Sequence, residues 1–153
     1  LSRAFLREED LQEDVKVRVL EQPRQITPDG YAAFEEELHR LQALEQSDPA
    51  VEQQILAILR KMSAMTVVHP RLDEQRAFFG AWVTLEDEDC VRRTYRLVGP
   101  DEVGFGPSWV SINSPVARIL LGRSVGDIVP MQVPSGEPLS LEVVSVDWTL
   151  PEE

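Results

Sequence analysis

At 153 residues the chain can bury one good core, or one small core with an appendage, and its single Cys excludes an internal disulfide. Its 27 acidic against 15 basic residues leave a formal charge of −12, the wrong sign for affinity built on phosphate contacts, so bare nucleic acid is not expected as a primary partner. Two His and one Cys, far apart, make no zinc-type ligand set, and no spanning apolar run or secretory leader pattern is present; the expectation is a cytoplasmic protein with no metal or cofactor and Cys90 as a free thiol.

Residues 1–25 form an N-terminal extension of mixed charge with scattered apolar residues. Only Val15-Lys16-Val17-Arg18-Val19 alternates like a strand, and the reading stays open between an edge strand or ordered arm and a mobile extension. A short antiparallel helical hairpin is predicted over residues 26–70. Thr27 is an N-cap followed by Pro28 at the first helical position, with acidic residues loading the first half of the helix. Tyr31, Phe34, Leu38 and Leu41 repeat at the spacing of a coiled-coil seam. Ser47-Asp48-Pro49 interrupts the pattern and restarts it, and Val51, Ile55, Ile58, Met62 and Met65 make a matching seam. Arms of roughly 16 to 20 residues make a hairpin about 25 to 30 Å long. His39 lies off the seam and His69 stands in the exit segment, so both read as solvated side chains.

From Ala77 the apolar period changes to two, which marks a second domain over residues 77–150. Strands are predicted at 82–86, 92–98, 109–113, 128–133 and 139–148. The run Glu86-Asp87-Glu88-Asp89 reads as a charged hairpin turn, because hard cations need oxygens converging from spaced positions rather than four adjacent carboxylates. Residues 99–107 read as a loop. After the third strand, Ser114 is an N-cap, Pro115 the first helical residue and Gly122 the stop of a two-turn helix. Val116, Ile119 and Leu120 give that helix an apolar face to pack on the sheet. The fold class expected is α+β: a helical hairpin, then a mostly antiparallel sheet of about five strands covered by one short helix.

These residues resemble the GreA/GreB family of bacterial transcription elongation factors. The resemblance rests on Phe79-Gly80-Ala81-Trp82-Val83, Tyr95-Arg96-Leu97-Val98-Gly99-Pro100-Asp101-Glu102, Ile112-Asn113-Ser114-Pro115-Val116-Ala117-Arg118 with Leu120-Leu121-Gly122, Val125-Gly126-Asp127, and Pro134-Ser135-Gly136-Glu137. Ile26-Thr27-Pro28-Asp29-Gly30-Tyr31 is similar to the family's first-helix opening. The resemblance implies an N-terminal antiparallel coiled coil and an FKBP-like C-terminal domain. It also implies a partner, RNA polymerase, bound at the rim of its secondary channel through the C-terminal domain, with Asn113, Ser114, Pro115 and Arg118 carried over to the docking surface. A helix N-terminus offers free N–H groups and a positive dipole end to a partner's carboxylates or carbonyls.

Cleavage-stimulating members of the family carry a longer hairpin, with an acidic pair at its tip that helps hold a catalytic Mg²⁺ in the polymerase. Here the tip offers Glu45, Asp48 and Glu52 outside any such motif, and Asp48 is explained by N-capping. The expectation is a polymerase-binding factor that regulates elongation without strong cleavage stimulation. The alternatives are a cleavage-stimulating factor using the tip carboxylates, and an antagonist that occupies the channel against other factors. Prolyl isomerisation needs an aromatic-lined pocket, whereas Phe78, Phe79, Trp82, Tyr95, Phe105, Trp109 and Trp148 fall where core packing explains most of them. With no nucleophilic triad or phosphate loop either, the chain is not expected to be an enzyme.

Overall fold

In the computed structural model, which describes residues 24–44, 48–132 and 136–151, the chain runs from a short strand β1 (Arg24–Ile26) into helix α1 (Pro28–Gln42). Thr27 has extended backbone and its hydroxyl accepts the N–H of Gly30 at 3.1 Å, while Pro28 takes the position where no N–H is needed. Asp48 starts helix α2 (Pro49–Ser63) in the same way, accepting the Ala50 N–H at 2.9 Å. Strand β2 (Met65–Val67) then pairs in parallel with β1, so the chain leaves and returns at one place and the two helices form a hairpin. Replacing Asp48 by Ala should cost about 1 kcal/mol of stability, read as an earlier loss of helical signal on heating.

The predicted seam faces inward. Phe34 and Leu41 are buried, Tyr31 and Leu38 half-buried, and on α2 the half-buried residues include Val51, Ile55, Ile58 and Met62. Two details differ from expectation. Each helix has 15 residues, so the arms are about 22 Å long rather than 25 to 30 Å. Met65 leaves the seam and opens β2, because the β-branched residues Thr66, Val67 and Val68 that follow favour extended backbone, and the partner strand β1 is at hand. The strand-like stretch at residues 15–19 lies outside the described residues.

The second half is a five-stranded sheet of β3 (Trp82–Glu86), β4 (Arg92–Val98), β5 (Trp109–Ser111), β6 (Ile128–Met131) and β7 (Leu139–Asp147) in the order β5-β4-β3-β7-β6. Only the β4–β5 pair is parallel; the rest of the sheet is antiparallel. As the central strand, β3 has neighbours on both edges and buries Trp82, Val83, Thr84 and Leu85 in succession, so it loses the one-sided alternation expected of a half-exposed strand. The acidic run is a turn: Asp87 Oδ1 accepts the N–H groups of Asp89 and Val91, each at 2.9 Å, and exposed Cys90 adopts φ +63°. Pro130 is accommodated because β6 is an edge strand. Residues 100–105, read as loop from the sequence, form a 3-10 helix (Pro100–Phe105). Helix α3 (Pro115–Leu120) buries Ala117 and Leu120 in a core shared with Val83, Leu85, Leu97, Val129, Leu141 and Val143. Among the described residues no helix is long and apolar enough to cross a membrane.

Candidate functional site

The start of α3 brings the predicted residues onto one exposed corner. Ser114 Oγ accepts the Ala117 N–H at 3.2 Å and the Ser114 carbonyl accepts the Arg118 N–H at 3.1 Å. Upstream, the Asn113 N–H donates to Ser111 Oγ at 3.1 Å. Asn113, Pro115 and Arg118 are exposed and Ser114 half-buried. The corner therefore presents an amide, a pyrrolidine ring and a guanidinium to solvent. It can donate hydrogen bonds and positive charge to carboxylates or carbonyls of a protein partner. Beneath it the helix is held firmly. Ala117 and Leu120 are fully buried, Val116 and Ile119 pack partly on the core, and Arg123 Nε donates to the Ile119 carbonyl at 3.0 Å. Gly122 ends the helix at φ +81°, where a side chain would be strained, and its N–H donates to the Ala77 carbonyl at 2.7 Å.

The hairpin tip is organised differently. Glu45 lies outside the described residues. Asp48 is committed to capping α2, and Glu52 is exposed in the first turn of the same helix, where its charge complements the helix dipole. Among the described residues no group of three or more His, Cys, Asp or Glu is placed to hold a metal ion.

Between tip and corner lies a joint that the sequence reading missed. Glu102, in the 3-10 helix, is fully buried, and its carboxylate accepts the N–H of Thr27 and the N–H of Gly99, each at 2.9 Å, and the Thr27 hydroxyl. Arg96 of β4 is buried over the rings of Trp82 and Trp109, 5.2 and 4.6 Å from their centroids, and pairs at 2.8 Å with Asp29 in the first turn of α1. Arg24 pairs with Asp101 at 2.8 Å, and Phe34 meets Phe105 edge to face with centroids 4.9 Å apart. A cleft of about 260 Å³ opens beside this joint, lined by Thr27, Asp29, Val68, Pro70, Arg96 and Trp148 among others. One available signal was Glu102 three residues after Gly99, the spacing of a capping box. On the segment that links hairpin to sheet, Trp148 Nε1 donates to the Glu74 carbonyl at 3.0 Å, and hydrogen bonds from Arg76 hold the Glu74 carboxyl below the usual carboxylate range.

Comparison with known proteins converges on one family. The family model for the C-terminal region of the transcription elongation factors GreA and GreB matches residues 72–147. The chain is 41% identical over 88 residues to transcription elongation factor GreB of Yersinia pestis, covering 57% of this chain and 52% of that protein. It is 34% identical over 151 residues to GreB of Pseudomonas aeruginosa, covering 80% of this chain and 89% of that protein. It thus spans about half the length of the first relative and most of the second. The solved structure of a GreA/GreB factor from Nitrosomonas europaea aligns at 22% identity and a TM-score of 0.46 over 82% of this chain and 98% of that one.

Proposed function

This chain belongs to the GreA/GreB family of transcription elongation factors, and from that premise we propose that it binds RNA polymerase at the rim of the secondary channel and regulates elongation. On this reading it acts in the cytoplasm and is not itself an enzyme. Helices α1 and α2 correspond to the family's antiparallel coiled coil in a shortened form, and the sheet with α3 to its FKBP-like domain. Docking falls to Asn113, Ser114, Pro115 and Arg118. The observation that carries the reading is the pairing of an exposed, firmly anchored helix start with a hairpin joined to the same sheet through Glu102 and Arg96. A protein that docks by one feature and presents the other needs both on a common support.

Cleavage stimulation does not follow from this arrangement. The arms are about 22 Å long, and Asp48 is spent on a helix cap. The short hairpin favours a second role, in which occupancy of the channel rim antagonises other factors that enter there.

Two measurements test these readings together. Immobilised core polymerase should retain the protein at micromolar concentration, and absence of retention would overturn the proposal. Added to a backtracked elongation complex, the protein should leave release of short 3′ RNA fragments at the polymerase's own level, and it should reduce the release provoked by a cleavage-active family member. Stimulated release would instead establish the alternative in which tip carboxylates reach the metal.

A further inference from the structure

We propose that Glu102 is a positioning residue that sets the direction of the hairpin relative to the sheet, and with it where the hairpin points once α3 is docked. A carboxylate withdrawn fully from water is costly unless its oxygens are satisfied. The donors that satisfy Glu102 come from both sides of the joint. Thr27, which caps α1, supplies its N–H and hydroxyl from the hairpin; Gly99, at the end of β4, supplies its N–H from the sheet side. Swinging the hairpin would remove two of these three donors and leave a buried charge under-satisfied. The arrangement is therefore stiff in a way that an apolar contact is not.

Close packing around the carboxylate supports the assignment. A Cβ at Gly30, in the first turn of α1, would lie 2.2 Å from Glu102 Oε1. A Cβ at Gly99 would lie 2.2 Å from the carbonyl oxygen of Gln25 in β1. The hairpin backbone thus rests directly on the carboxylate, and the backbone at the end of β4 rests directly on β1. The other links across the joint are less directional. In the Asp29–Arg96 pair the Asp29 side chain is 69% exposed, in the Arg24–Asp101 pair the Arg24 side chain is 52% exposed, and the contact of Phe34 with Phe105 tolerates sliding.

What hairpin direction means for polymerase rests on the function proposed above, whereas the direction itself is measurable in the free protein. Cys90 is exposed on the β3–β4 turn and is the one Cys of the chain, and Gln53 is exposed on α2. Spin labels at Cys90 and at Q53C report the hairpin-to-sheet distance by pulsed electron resonance. The unaltered joint should give one narrow distribution. Glu102→Gln should keep it, because the amide oxygen can accept both backbone N–H groups and the amide nitrogen can donate to Thr27 Oγ1. Glu102→Ala and Gly30→Ala should each give a distribution about twice as wide or displaced, with the near-ultraviolet signal of the sheet tryptophans retained. A distribution for Glu102→Ala that matches the unaltered joint would overturn the inference. So would loss of the sheet signal in both Ala variants, which would make the joint a determinant of sheet stability instead of hairpin direction. In polymerase assays, Glu102→Ala should be retained by the enzyme yet lose its antagonism of cleavage-active factors. Failure of the parent protein to bind polymerase would overturn the proposed function while leaving the distance result standing.

Discussion

Replacing Ser114 and Pro115 together by Ala should abolish retention on core RNA polymerase while the sheet stays folded. The stability cost is small because each residue contributes little beyond its local role. Losing the Ser114 cap costs about 1 kcal/mol, and replacing a preorganised Pro by Ala adds about 0.4–1 kcal/mol through the unfolded chain. At about 4–8 °C per kcal/mol for a domain of about 75 residues, the thermal midpoint should fall by roughly 10 °C. Ala117 and Leu120 still anchor the helix in the core. What changes is the exposed corner: the ring of Pro115 is gone, and the first turn loses the Ser114 hydroxyl that accepts the Ala117 N–H. Polymerase retained by a folded double variant would show that the docking surface lies elsewhere.

Leu120→Ala should have the opposite profile, a large loss of stability with the exposed corner chemically unchanged. Leu120 is fully buried within the core cluster that includes Val83, Leu85, Leu97 and Leu141. Truncating such a side chain costs about 2–5 kcal/mol, from lost transfer free energy and from the cavity left behind. The thermal midpoint should drop about twice as far as in the double variant, and polymerase retention should weaken because the helix start no longer has a rigid floor. Val116→Ala is the useful comparison: that side chain is only half-buried, so its truncation should cost less. A Leu120→Ala variant as stable as the Val116→Ala one would mean that α3 is not seated on the core as described.

The helix starts were readable in the sequence because their signals are local. Thr27-Pro28, Asp48-Pro49 and Ser114-Pro115 each set an acceptor side chain before a residue that needs no N–H, and each begins a helix. The strands of the sheet were readable from alternation and turn residues, and β4 begins and ends where expected. Helix ends were less readable. Met65 fits the heptad spacing of α2 and yet belongs to a strand, since its partner, residue 24, is remote in sequence and invisible to a local pattern. The exposed corner at residues 113–118 was legible as a capped helix start, and the joint at Glu102 and Arg96 was not.

The sequence by itself determined the order of elements, the seam of the hairpin, the apolar face of the short helix and membership in a family. Each depends on side chains within a turn or two of one another, or on motifs that survive as a string. Only the tertiary structure decided that Glu102 and Arg96 are buried at the joint, that β1 and β2 close the hairpin base, and that β4 and β5 run in parallel. The physical reason is distance along the chain: Glu102 is bonded to Thr27 across 75 residues, and the energy that makes burying its charge tolerable comes from donors that no local window contains.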